Sequence, residues 1–169
     1  GPMKNPDFLV TGGCGFIGSH ICEDLVARGH TVRVLDNLAS GYRSNIEHLG
    51  PAVELQLGDV RSPDDVRKAV AGVRGVFHEA ALVSVFDSVQ RPQDNHDINA
   101  TGTLNVLLAA RDAGVQRVVL ASTAAAYGND PELPKREDMR PQPESPYAVA
   151  KVAGEHYLRL FASLYALPT

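Results

Sequence analysis

Two rhythms of apolar residues alternate along the chain. Residues 8–10, 31–35, 53–57, 75–78 and 117–121 form short runs in which apolar residues predominate, β-branched at 31–35. That is the composition of strands buried on both faces. Between the first two runs, Ile17, Ile21, Leu25 and Val26 share one helical face within 16–28, and Gly29 follows as a stop. Ser62-Pro63-Asp64-Asp65 opens another helix, with a hydroxyl at the cap, proline at the first helical position and acids in the first turn. A long helix is predicted through 102–113, ended by Gly114, and a last one over 147–165, before Pro168. Segment 129–145 carries Pro131, Pro134, Pro141 and Pro143 among mixed charges and reads as a loop long enough to have a role. The alternation predicts an α/β fold, a doubly wound parallel sheet with helices on both faces. At 169 residues the chain suffices for one domain and is marginal for two.

The first strand and first helix meet in "TGGCGFIGSH". Gly12-x-x-Gly15-x-x-Gly18 stands there, and from Gly13 the run also satisfies G-x-G-x-x-G. Glycine lets backbone amides approach a pyrophosphate, and the helix start adds a partial positive charge of about half a unit. The second strand leads to Asp36, 18 residues beyond Gly18. A carboxylate there meets the hydroxyls of an adenosine ribose and repels a 2′-phosphate. The pair implies a dinucleotide, NAD rather than NADP. Asn37, Ser40 and Gly41 are further candidates for the ribose edge, and Arg43 is the residue that could weaken the NAD preference.

Charge and cysteine content restrict the alternatives. The net charge of −4 leaves no footprint for nucleic acid or an anionic membrane. No apolar run approaches the roughly 20 residues of a membrane span, and none reads as a signal peptide. Cys14 and Cys22 lie up to ~12 Å apart along a helix, too far for a disulfide, which fits a cytoplasmic protein. Gly1-Pro2 reads as a tag remnant. His20, His30 and His48 read as surface or packing residues, and His78 as a hydrogen-bonded core histidine.

Further along, "SPYAVAK" places Tyr147 and Lys151 four apart at a helix start, so both face one side. A free phenol titrates near about 10, and a neighbouring ammonium favours its phenolate. Such a pair suits proton transfer at a sugar hydroxyl. Thr123, 24 residues before Tyr147, can orient the substrate oxygen.

With "TGGCGFIGSH", "DNLASGYRSNIEHL", "GDVRS", "HEAALVSVFDSVQRP", "NATGTLNVLLAAR", "STAAAYG" and "SPYAVAK" together, the chain resembles extended short-chain dehydrogenases/reductases of the NAD-dependent epimerase/dehydratase type. The resemblance implies a Rossmann-like domain over 1–169 that carries the catalytic Tyr-Lys helix, with the C-terminal substrate domain of the family absent. It implies that Phe16 and Ile17 offer backbone contacts to the pyrophosphate, that Asp36 and Asn37 hold the ribose, and that Asp59 and Val60 flank the adenine. Ala80, Ala81 and Val83 would line the cofactor, with Asn99 steadying the site. Thr123, Tyr147 and Lys151 would be the catalytic set, Lys151 also holding the nicotinamide ribose.

The nearest subclass in this resemblance is the nucleotide-sugar 4-epimerases of UDP-hexose type. Ala124-Ala125 follow Thr123 where 4,6-dehydratases carry an Asp-Glu pair. The implied chemistry is proton removal from the sugar 4-hydroxyl by Tyr147, hydride passage from C4 to NAD, turnover of the 4-keto sugar, and hydride return to its other face. A dehydratase, decarboxylase or reductase of the same family, and a non-catalytic NAD-binding module, are the alternatives. Departures are Glu79, a carboxylate near the cofactor path, and Phe86-Asp87 in a substrate loop. Without its substrate domain the chain is expected to turn over poorly alone, and its uncovered sheet edge to favour a homodimer or domain-swapped assembly.

Overall fold

In the computed structural model, five strands form one sheet: β1 (Phe8–Thr11), β2 (Val32–Asp36), β3 (Val53–Leu57), β4 (Gly75–His78) and β5 (Arg117–Leu120). The structure describes residues 3–81, 85–120 and 145–165, the side chains of 85–87, 147, 151, 164 and 165 excepted. The strand order is β3-β2-β1-β4-β5, and every pairing is parallel. Connections leave β1 toward β2 and β4 toward β5, so the chain diverges at the carboxyl ends of β1 and β4. In such sheets that divergence is where a ligand crevice opens.

The helices are α1 (Phe16–Ala27), α2 (Ser44–Glu47), α3 (Pro63–Val70), α4 (Val85–Gln90), α5 (Pro92–His96), α6 (Gly102–Ala113) and α7 (Pro146–Tyr165). A π-helical turn, Asp97–Thr101, joins α5 to α6. The five predicted strands and four predicted helices are all present, with ends shifted by a residue or so. Arg28 caps α1, and Gly29 (φ 86°) takes the left-handed position just beyond it. Its amide and that of His30 satisfy the carbonyls of Val26 and Leu25. Ser62 Oγ accepts from the Asp65 amide at 3.3 Å and starts α3. Residues 121–144, which include most of the expected proline-rich loop, lie outside the described residues.

Alternation along the strands sorts the core in two. Val10, Val32 and Val34 face Cys14, Cys22, Leu25 and Ile46 on the side of α1 and α2. Leu9, Leu35, Val76 and Val118 face Val66, Val70, Val106, Leu107 and Phe161 on the side of α3, α6 and α7. Cys14 and Cys22 are both buried free thiols. Burial, with the nearby Asp36 charge, pushes the Cys14 thiol up to about 11, and burial pushes Cys22 up to about 12. Both therefore stay protonated near neutral pH.

One buried cation interrupts this apolar pattern. Arg33, in β2, is 5% exposed. Its guanidinium donates to the carbonyls of Ala69 (2.9 Å) and Ala71 (3.0 Å) at the end of α3, and to the Met3 carbonyl (2.8 Å). Glu54 lies 3.6 Å away and also accepts from the Met3 amide at 2.9 Å. The charge is thus hydrogen-bonded and paired at the end of the sheet opposite the crevice. Among the described residues no helix is long and apolar enough to cross a membrane.

Candidate functional site

The glycine turn begins at the last residue of β1. Gly12 has φ +69°, and a Cβ there would lie 2.8 Å from the Ala80 amide nitrogen. Only glycine combines that backbone with so close an approach. A Cβ on Gly18 would lie 2.1 Å from the Gly12 carbonyl oxygen, so the first turn of α1 packs directly on the turn before it. The start of α1 has Gly15 as its cap, no side-chain cap bond and no acid in its first turn. First-turn amides have no intrahelical acceptor. An anion is the fitting partner for these amides at Phe16, Ile17 and Gly18.

Asp36 stands beside this turn, 9% exposed. Its Oδ2 accepts from the Cys14 amide at 3.0 Å and its Oδ1 from the Leu38 amide at 2.7 Å. The carboxylate therefore braces the glycine turn and keeps lone pairs for ribose hydroxyls. Leu38 adopts φ 61°, a left-handed conformation uncommon for a bulky side chain. The next segment folds back on the turn: the Tyr42 amide (3.0 Å) and Asn45 Nδ2 (2.8 Å) both donate to the Cys14 carbonyl. A Cβ on Gly41 would lie 2.7 Å from that same carbonyl carbon. Tyr42 and Asn45 were not expected from the sequence, because their partner is 28 and 31 residues away and is backbone. A cleft of about 550 Å³ opens here, lined by Gly15, Phe16, Ser19, Ser40, Tyr42 and Asn45 among others. Its lining takes in Gly15, Phe16 and Ser40 of the expected cofactor residues and none of Asp36, Asp59, Ala80 or Asn99.

A buried polar chain runs under the crevice. Thr11 Oγ1 accepts from the amides of Glu79 (3.0 Å) and Ala80 (3.1 Å) and lies 2.6 Å from His78 Nδ1. With both lone pairs used, its hydrogen goes to Nδ1. His78, 2% exposed, is then protonated at Nε2, which donates to Thr103 Oγ1 at 3.0 Å. Thr103 in turn donates to the Asn99 carbonyl at 2.9 Å. The core histidine expected from the sequence thus joins the segment of Ala80 and Ala81 to the π turn that holds Asn99. Glu79 is half-buried. Asn99 is buried and donates from Nδ2 to Asn95 Oδ1 at 2.7 Å.

Helix α7 lies against that π turn and against α4, α5 and α6. Ser145 caps it, with Oγ accepting from the Ala148 amide at 3.1 Å and Pro146 following at the first helical position. A Cβ on Gly154 would sit 3.4 Å from both the Asn99 carbonyl oxygen and Thr103 Oγ1. Tyr147 and Lys151 occupy the first turns of α7, one turn apart on the backbone. Thr123 and Val83 lie outside the described residues. The other histidines sit at or near the surface: His30 packs edge-on to Phe8 and faces Asp7 at 3.3 Å, while His20 (3.4 Å) and His48 (3.1 Å) flank Glu23.

A parallel sheet diverging at β1 and β4, with a helix that has no side-chain cap after a glycine turn and an acid ending β2, defines a dinucleotide-binding α/β protein. The model of the NAD dependent epimerase/dehydratase family matches residues 8–169, and the chain belongs to that family. The family's cofactor is NAD, the one expected from Asp36. Streptomyces lividans UDP-glucose 4-epimerase is 39% identical over 164 residues, 95% of this chain and 49% of that protein. A UDP-glucose 4-epimerase from Thermus thermophilus, solved with NAD, is 45% identical with a TM-score of 0.88, covering 95% of this chain and 52% of that one. A dTDP-glucose 4,6-dehydratase from Streptomyces venezuelae, solved as a double mutant with NAD, matches at 34% identity and a TM-score of 0.89, over 95% of this chain and 52% of that one. The chain spans about half the length of the relatives it matches.

Proposed function

We propose that this chain is the cofactor-binding and catalytic part of an NAD-dependent nucleotide-sugar 4-epimerase acting on a UDP-hexose. The observation that carries the reading is the pairing of two features in one fold. One is the start of α1, without a side-chain cap bond, beside the braced Asp36. The other is α7, which packs through Gly154 on the Asn99 carbonyl and carries Tyr147 and Lys151 in its first turns. Similarity to UDP-glucose 4-epimerases supports the substrate class, and similarity to a 4,6-dehydratase makes that reaction the second reading. Ala124-Ala125, in place of an Asp-Glu pair, favours the epimerase.

In this reading the amides of Phe16 and Ile17 bind the pyrophosphate, with Gly12, Gly15 and Gly18 allowing the approach. Asp36, Asn37, Ser40 and Gly41 form the ribose edge, and Asp59 and Val60 flank the base. Bound NAD supplies the reversible hydride acceptor at the sugar's C4. Tyr147, as phenolate, takes the proton from the 4-hydroxyl and later returns it. The Lys151 ammonium lowers the phenol's proton affinity and holds the nicotinamide ribose. Thr123 orients the substrate oxygen.

Calorimetric titration of the purified chain with NAD and NADP, beside Tyr147→Phe, tests this. NAD should bind well ahead of NADP, and Tyr147→Phe should bind NAD within about twofold of the parent, since the lost hydroxyl serves the sugar. With UDP-galactose added, any interconversion to UDP-glucose should vanish in Tyr147→Phe. A 4-keto-6-deoxy sugar as product would favour the dehydratase, and retained turnover in Tyr147→Phe would sink the assigned role.

A further inference from the structure

The topology sets where the base of a bound dinucleotide falls. With the ribose at Asp36, the direction away from the β1–β4 divide leads past the end of β3, which pairs with β2 on its outer side. Asp59 stands there. Its Oδ1 accepts from the Arg61 amide at 2.8 Å and from Arg61 Nε at 3.0 Å. Its Oδ2 accepts from Arg61 Nη2 at 2.6 Å and from Asn37 Nδ2 at 3.2 Å. A carboxylate offers about four acceptor positions, so Asp59 is filled. Three of the four bonds come from Arg61. The fourth is the longest, and its donor is neutral. Arg61 Nη1 also lies 3.9 Å from Asp94 on α5, so the guanidinium is held from two sides.

We propose that Arg61 is the positioning residue for the base end of the cofactor site: where the NAD reading sets Asp59 beside the adenine, Arg61 fixes the plane of that carboxylate, so that the exocyclic amine takes the oxygen position that Asn37 yields. The inference rests on the reading of this chain as NAD-binding. A guanidinium fork matches a carboxylate in two parallel bonds and fixes its plane, which a lysine cannot do. Arg61 also holds the Asp59 carboxyl below the ordinary carboxylate range, chiefly through its side-chain hydrogen bond. At neutral pH Asp59 is ionised and acceptor-only, as an amine donor requires. Asn37 gives way because a neutral amide at 3.2 Å is held less tightly than a charged fork. Once displaced, it remains next to Asp36, at the ribose edge.

The experiment compares NAD with its hypoxanthine analogue, in which a carbonyl replaces the exocyclic amine, by calorimetric titration of the unaltered chain, Arg61→Ala, Arg61→Lys and Asn37→Ala. The unaltered chain should prefer NAD. In Arg61→Ala that preference should fall about tenfold, the scale of one hydrogen bond to a charged group. Arg61→Lys keeps the charge without the fork and should fall between the two, and it supplies the comparison should Arg61→Ala not fold. Asn37→Ala removes the competitor and should leave the preference at least as large as in the unaltered chain. Equal weakening of both dinucleotides in the Arg61 variants, with the preference intact, would make Arg61 merely structural and overturn the inference alone. Failure of the unaltered chain to bind either dinucleotide would overturn the inference and the NAD reading together.

Discussion

At Gly18 a single methyl group separates a working turn from a broken one. Its Cβ would meet backbone atoms at 2.1, 2.8 and 2.9 Å, none of which can rotate away. Gly18→Ala should therefore cost about 1–3 kcal/mol by overpacking and should remove NAD binding, read by urea unfolding and calorimetry on the same sample. The glycine spacing and Asp36 were legible in the sequence because the turn is local and its partner lies a fixed distance on. The bracing of Asp36 by the Cys14 and Leu38 amides was not, since backbone donors leave no mark on residue type. The chain Thr11–His78–Thr103 was legible only as an expected core histidine. Its partners lie 67 and 25 residues from His78, and nothing in the sequence brings threonines at those distances to a ring nitrogen.

Among the elements, those with a complete apolar rhythm were legible. β1, β2, β4, α1, α3, α6 and α7 bury enough of one face to show it, while the edge strands β3 and β5 show theirs only through the partly buried Val53 and Leu55 and the buried Val118. The short helices α2, α4 and α5 have four to six residues. That is under two turns, so no face recurs and no period can be read. The π turn Asp97–Thr101 changes the winding without changing composition, which hides it as well. The start of α3 is the opposite case, visible as a cap, a proline and two acids. Ser62→Ala removes the side-chain bond to the Asp65 amide. It should lower stability by about 1 kcal/mol, or about 2–4 °C in Tm for a chain of this size. Differential scanning calorimetry checks it, and Ser62→Asp should restore the loss. A shift of that size with little change in NAD affinity would separate the helix start from the neighbouring Asp59–Arg61 pair.

Across the whole molecule the two ends of the sheet do different work. The carboxyl ends carry the glycine turn and Asp36, while the amino ends are knotted by charge. Asp7 accepts from the Thr31 amide at 3.1 Å and faces His30 at 3.3 Å and Arg74 at 3.2 Å. The Thr31 amide, ahead of the charged neighbours, holds its carboxyl below the ordinary range. A carboxyl with a lowered folded pKa stabilises above its unfolded value and loses that contribution as pH falls through the folded one. Asp7→Asn should therefore be less stable than the parent at pH 7, and the gap should narrow as pH drops below about 4. Urea unfolding at pH 7 and pH 3 reads both limbs, and a gap that stays constant would mean that Asp7 titrates as it does in the unfolded chain. Arg33 adds a consequence of another kind. Because it grips the Met3 carbonyl together with the end of α3, while Glu54 grips the Met3 amide, tension on the chain ahead of Met3 is shared among β2, β3 and α3 from the first ångström. A tether placed there would load three elements in parallel, and β1 would be shielded from peeling away one bond at a time.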